Sequence, residues 1–170
     1  MRPTLLAPAA MAVACLASSS FAAIVGTYSI GSGSSTSSVQ IDFANGNGYV
    51  FNVSWDQAMN GYQLLQTIDT AFSSVTHSAE VYSFGVFVTG IGVGDDHDFG
   101  TGDQWPVENY WHYWTQDTGS WEQAMVGASD RTIFNGSFDA WVFGSSVTPQ
   151  SVPAPGAFAL VALGLRSRRR

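Results

Sequence analysis

Two short runs with a two-residue period constrain the fold more than any other feature of this chain. Val39, Ile41 and Phe43 alternate with Gln40 and Asp42, and Tyr49, Phe51, Val53 and Trp55 alternate with Val50, Asn52 and Ser54. Alternate side chains of a strand point to opposite faces, so each run reads as a strand with one apolar face. Between them, Ala44-Asn45-Gly46-Asn47-Gly48 supplies residues that accept positive φ, which makes the pair a hairpin.

The period then changes. Leu64, Leu65, Ile68 and Phe72 fall at helical spacing, so residues 61–72 read as a helix with one buried stripe, capped by Asn60 and ended at Ser73-Ser74. Beyond it, 80–93 is rich in β-branched and aromatic residues and reads as strand, with Gly85, Gly90 and Gly92 marking bends or close backbone approaches. Residues 94–102 read as a loop, and 109–115, 120–125 and 138–143 as three further strands, with Asn135-Gly136 forming a turn before the last. Near the start, Ile24–Ile30 reads as a short strand and Gly31–Ser38 as flexible, low-complexity chain. The sum predicts an α+β fold over 39–145, mostly antiparallel sheet with one helix, behind a flexible Ser/Gly-rich stretch at 24–38.

With 170 residues, 45% of them hydrophobic and 14% aromatic, the chain has enough apolar area for one compact domain; a multidomain enzyme and a disordered chain are both excluded. Charge is segregated. Of the six basic residues, Arg2 opens the chain and Arg166, Arg168, Arg169 and Arg170 close it, which leaves Arg131 as the interior cation against all thirteen acids, Asp42 to Asp139. A phosphate-binding surface needs clustered Lys or Arg, so nucleic acid is not an expected partner.

Both ends read as addresses. Residues 1–23 carry Arg2, an apolar run from Leu5 to Leu16, and Ser20-Phe21-Ala22, a small-x-small cleavage pattern, as in a secretory leader handled by a translocon and signal peptidase. A buried first helix is the structural alternative, disfavoured by Pro3 and Pro8. Acylation at Cys15 is the lipoprotein alternative, although Ala12-Val13-Ala14 lacks the Leu of a lipobox. Cys15 is the single cysteine, so with the leader removed the domain has no disulfide and no thiolate metal site. At the other end, a linker over 146–155 leads to the motif Val152-Pro153-Ala154-Pro155, then an apolar segment and a basic stop over 156–170.

That order of proline motif, apolar segment and arginines resembles the PEP-CTERM sorting signal of bacterial envelope proteins, with Ala154 where the signal usually has Glu. The resemblance implies transient residence of the tail in the inner membrane and cutting near the prolines by an exosortase-like enzyme, with Val152, Pro153, Ala154, Pro155, Arg166, Arg168, Arg169 and Arg170 as the sorting residues. The apolar run from Val152 to Leu165 spans only about 21 Å as a helix against a hydrocarbon core of about 30 Å, which fits a transient anchor better than a permanent one. An amphipathic helix packed on the domain is the alternative; the run is apolar all round rather than on one stripe.

In the interior, Val53-Ser54-Trp55, Tyr62-Gln63-Leu64-Leu65, Gly85–Ile91, Tyr110–Trp114, Gly127-Ala128-Ser129-Asp130 and Gly136–Trp141 together resemble the transcobalamin C-terminal-like domain. Tyr110–Trp114, Gly127–Arg131 and the proline motif are similar to those of secreted proteins of planctomycete-type bacteria. The likeness implies a β-grasp-like sheet with one helix and, in some relatives, a surface that meets cobalamin. The family often has an Asn-Gly turn after the Tyr-Trp strand; here Gln116-Asp117-Thr118-Gly119 stands in its place, which leaves a ligand contact from that turn unsupported.

Candidate sites are few. Strand alternation puts Tyr110, His112 and Trp114 on one face and Trp111 and Tyr113 on the other. If one face is uncovered it forms, with Trp121 and Trp141, an aromatic platform for a sugar or a flat macrocycle; if loops cover it, both faces are core. Asp95, Asp96, Asp98 and Asp103 crowd together, where a Ca²⁺ ion would relieve their repulsion, although the spacing is not that of an EF-hand; a solvated acidic loop is the alternative. His77, His97 and His112 have no paired zinc spacing. Glu80, Glu108 and Glu122 are the carboxylates a glycosidase would draw on. The expectation is an exported envelope or extracellular protein without catalytic activity and without a resident cofactor; a glycan- or corrinoid-binding module is the alternative, and a glycoside hydrolase the second.

Overall fold

The computed structural model describes residues 23–152. The elements in chain order are β1 (Ala23–Gly31), β2 (Ser35–Asp42), β3 (Asn47–Trp55), α1 (Gly61–Ala71), β4 (Val75–Tyr82), β5 (Gly85–Val93), β6 (Asp96–Phe99), β7 (Trp111–Gln116), β8 (Glu122–Gln123) and β9 (Phe138–Phe143). The expected α+β class is observed: mostly antiparallel strands in two sheets, with one helix among the described residues. The larger sheet has the order β1-β3-β2-β9-β7-β8 and the smaller one β4-β5-β6. Two of the pairings are parallel, β1 with β3 and β2 with β9.

The expected hairpin is β2–β3, with Val39 opposite Phe51 and Asp42 opposite Gly48. Its turn closes through Gly46 at φ 91°, a left-handed conformation that costs glycine little. The expected helix is also present. The Asn60 side chain accepts from the Gln63 backbone N–H while the Gln63 side chain accepts from Asn60 N–H, a reciprocal cap that satisfies two otherwise unpaired donors.

Leu64, Leu65 and Ile68 of α1 are fully buried and meet Val39, Ile41, Phe51, Val53, Trp111, Tyr113 and Trp141 from one face of the large sheet. Val75, Val88, Ile91 and Val93 of the small sheet join the same cluster. Each such aliphatic side chain contributes roughly 1.5–3 kcal/mol on burial. On the opposite face of the large sheet, Trp114, Ala140 and Val142 form a second, smaller cluster against Trp121.

Four segments differ from the sequence reading. Ser35–Ser38, expected as flexible chain, opens β2, because its hydroxyls find partners: Ser37 Oγ donates to Phe134 O at 3.1 Å and accepts from Trp55 Nε1 at 3.0 Å, and Ser38 Oγ donates to Asn52 Oδ1 at 2.8 Å. The stretch read as one strand over 80–93 is the end of β4, a turn at Ser83-Phe84, and β5. Asp96–Phe99, expected within a loop, is β6, because it pairs antiparallel with β5 from Val93↔Asp96 to Gly90↔Phe99 across the Gly94-Asp95 turn. The expected strand 120–125 contracts to the two residues of β8.

Candidate functional site

The aromatic strand is core on both faces. Alternation holds as expected, with Trp111 and Tyr113 toward α1 and His112 and Trp114 on the other side. Their exposures are 3% for Trp111, 2% for His112 and 6% for Trp114, and Tyr113 and Trp141 are buried as well. Ring faces already covered by protein cannot stack on a ligand, so these residues form no exposed platform; Tyr110 and Trp121 remain half-buried at its margins. His112 lies over Tyr110, with ring centroids 4.1 Å apart, and burial lowers its pKa against the opposing pull of Glu108.

Beneath the start of α1 lies a charged cluster that sequence reasoning missed. Asp139 of β9 accepts from the Tyr113 hydroxyl and, at 3.3 Å, from Arg131 Nη2. Arg131 also donates through both terminal nitrogens to Asp117, and its guanidinium lies 5.4 Å from the centre of the Phe134 ring. Asp139 is 1% exposed, and burial raises its pKa above the ordinary carboxylate value in spite of Tyr113 and Arg131. The cluster anchors the helix start: Gly61 N donates to Arg131 O at 3.0 Å and Tyr62 N to Ala128 O at 3.1 Å. The segregation of charge in the sequence was the available signal, because a lone interior cation needs a specific partner.

The acidic stretch is divided among separate partners. Asp96 accepts from Asn45 Nδ2 at 2.6 Å, Asn47 Nδ2 at 2.9 Å and the Tyr49 hydroxyl at 2.6 Å, and these bonds, Tyr49's foremost, lower its pKa. Burial, reinforced by Asp96, pushes the Tyr49 phenol up to about 12. Asp98 accepts from Ala44 N at 2.8 Å, and hydrogen bonds from Thr101 and Asn109 lower the pKa of Asp103. Asp95 is exposed. Among the described residues no group of three or more His, Cys, Asp or Glu is placed to hold a metal ion.

His77 accepts a role unconnected with metal: its Nδ1 lies 2.5 Å from Asp69 and its Nε2 3.2 Å from the Tyr62 hydroxyl, which ties β4 to α1. The three glutamates are not brought together. Glu80 on β4 pairs with Tyr82, Glu108 before β7 accepts from Ser146 N, and Glu122 stands exposed on β8.

The two ends of the described chain meet at the β2–β3 turn. Ala23 N and Gln150 Nε2 both donate to Gly46 O, at 2.9 and 3.1 Å. Gln150 N donates to Asp42 Oδ2 at 2.8 Å, and Gln40 Nε2 donates both to Asp42 and to Gln150 O at 3.0 Å. Asp42 is buried among these neutral donors, and its burial raises its pKa against their effect. Of the sorting residues, Val152 is exposed just beyond this clasp; Pro153, Ala154, Pro155, Arg166, Arg168, Arg169 and Arg170 lie outside the described residues, as does the leader up to residue 22. No described helix is long and apolar enough to cross a membrane.

A groove of about 560 Å³ runs between the end of β1 and α1, with Ile30, Met59 and Ala71 as apolar lining and Gln63, Gln66 and Thr70 as polar lining.

These features define a mixed α+β domain with a clasped pair of ends and a buried charged cluster under its helix. No family model matches the chain, and no curated protein matches it. A crystal structure from Ruminococcus gnavus ATCC 29149, described as a "putative metal binding protein", is similar with a TM-score of 0.48 and 15% identity, covering 66% of this chain and 99% of that one. At that level neither its fold nor its function transfers to this chain.

Proposed function

We propose that the chain is an exported bacterial envelope or extracellular protein without catalytic activity, whose body is a single α+β domain and whose two ends are addresses. The observation that carries this reading is the pattern of the two ends in the sequence, an Arg2-led apolar run with Ser20-Phe21-Ala22 before Ala23 and a proline motif, apolar run and arginines after Gln150; Ala23 N and Gln150 Nε2 both donate to Gly46 O, which is compatible with it. Sequence supports it, since the cations outside Arg131 lie in those two ends. On this reading the leader is removed by signal peptidase, and the tail, resembling a PEP-CTERM signal, resides transiently in the inner membrane until an exosortase-like enzyme cuts near Pro153 and Pro155.

The finer fold reading is β-grasp-like, related to the transcobalamin C-terminal-like domain. Supporting it, the hairpin β2–β3, the helix α1 and the pair β7–β9 follow in order, with β2 and β9 adjacent and parallel at the centre of the large sheet. A second functional reading, a ligand-binding module, is favoured by the groove along α1, whose lining among the described residues is free of charge in an otherwise acidic body.

Mass spectrometry of both termini in envelope and extracellular fractions tests the main reading. A chain that starts near Ala23 and ends near Pro155 supports it. An untrimmed chain, from Met1 to Arg170, resident in the cytosol overturns it.

A further inference from the structure

We propose that removal of the leader between Ala22 and Ala23 creates an α-ammonium group that completes the clasp at Gly46 and fixes Gln150, and with it the segment from which the C-terminal tail departs. The inference rests on the export reading and adds a structural consequence to it: processing at the first end tightens the second.

The argument is one of donors and acceptors. In the uncut chain Ala23 N carries a single proton, already given to Gly46 O at 2.9 Å. Hydrolysis adds water across the Ala22–Ala23 bond: the carbonyl carbon leaves as a carboxylate, and the nitrogen gains protons to become an ammonium with two further donors. A partner for them is at hand. Gln150 Nε2 shares the same carbonyl at 3.1 Å, so its amide lies beside Ala23 N, and Gln150 Oε1 is buried with no hydrogen-bond partner among the described residues. An unmet buried acceptor is costly, and a bond from a charged donor is about twice as strong as a neutral one.

Charge points the same way. Asp42 is buried and held by Gln40 and Gln150, both neutral, while Arg131, the one Lys or Arg among the described residues, is committed to Asp117 and Asp139. Ile24 and Asp42 approach the same point above Gly48, where a side chain would stand 2.8 Å from Ile24 Cδ1 and 2.7 Å from Asp42 Oδ1. The new ammonium therefore arises one residue from the buried carboxylate's neighbour, at the pole that lacks a cation.

The test compares three forms of the chain from Ala23 to Arg170: with a free Ala23 amine, with that amine acetylated, and with one extra glycine before it. The readouts are hydrogen exchange at the Gln150 backbone amide and Tm. The free amine is expected to slow that exchange roughly tenfold and to raise Tm, the scale of a charge-assisted bond. In a Gln150→Ala background the difference between free and acetylated forms is expected to vanish. Equal exchange and equal Tm in all three forms overturn the proposal while leaving the export reading intact; if Gln150→Ala fails to fold, the comparison of the three wild-type forms still decides.

Discussion

The Tyr113 hydroxyl lies directly under Gly61, so close that a Cβ at that position would stand 2.1 Å from Tyr113 Oη. The same hydroxyl donates to Asp139. Glycine at the first residue of α1 is thus set by the buried Tyr113–Asp139 pair, and the helix can seat on the sheet only where its backbone is bare. Gly61→Ala is expected to destabilise the domain by about 1–3 kcal/mol through overpacking. Tyr113→Phe removes the obstructing oxygen, leaving the ring carbon at 3.1 Å. The double variant is therefore expected to lose less than the sum of the two single losses, measured by urea denaturation as a double-mutant cycle.

Arg131 is the cation on which Asp139 depends. Arg131→Ala leaves that carboxylate buried with only Tyr113 to meet it, and a loss of about 3–5 kcal/mol is expected. Adding Asp139→Asn removes the stranded charge and is expected to recover part of the loss. A double variant less stable than Arg131→Ala alone would show that the hydrogen bonds of the carboxylate matter more than its charge.

Two carboxylates at the β2–β3 turn are expected to respond to pH with opposite signs. Asp42 has a pKa raised above 3.8 by burial, so the folded chain holds its proton more tightly than the unfolded chain, and stability from this group declines as pH rises through the raised value. Asp96 has a pKa lowered below 3.8 by its hydrogen bonds; its stabilisation is fully present above 3.8 and is lost as pH falls through the lowered value. Urea midpoints against pH will show this. Relative to wild type, Asp42→Asn is expected to gain as pH rises from the acid range, whereas Asp96→Asn is expected to lose.

Tryptophan exposure is sharply divided. Trp105 is 87% exposed, whereas Trp111, Trp114 and Trp141 are buried. Acrylamide is expected to quench a red-shifted fraction of the emission, and Trp105→Phe to remove most of that fraction without changing Tm. Quenching that persists unchanged in Trp105→Phe would show that another tryptophan is open to solvent, and the same measurement on Trp121→Phe would separate the half-buried Trp121 from the Tyr110–Trp114 strand.

The hairpin, the helix and its cap were legible because each is a local pattern: an alternation with a turn at Gly46, an apolar stripe at 64, 65 and 68, and Asn60 just ahead of the helix. What could not be read depended on partners distant in sequence. Ser35–Ser38 looks flexible until Asn52, Trp55 and Phe134 meet its hydroxyls; Asp96–Phe99, by contrast, pairs locally with β5 across the Gly94-Asp95 turn, a hairpin hidden by the polarity of its sequence. The aromatic strand shows the same limit, since alternation assigns side chains to faces but does not say whether a second layer covers them. The charged cluster of Arg131, Asp117 and Asp139 was half visible, its cation evident from composition and its partners fixed only by the fold.

β1 borders the large sheet with β3 on one side, and its nine residues contain no charge and no proline. Such a border invites a neighbouring molecule to add its own strand, and native sheets commonly deter this with lysines or kinks. Here the register shift between Ile24 and Gly26 supplies the kink. At high concentration that irregularity, the one break in register along β1 among the described residues, would stand between separate copies and their growth into fibres.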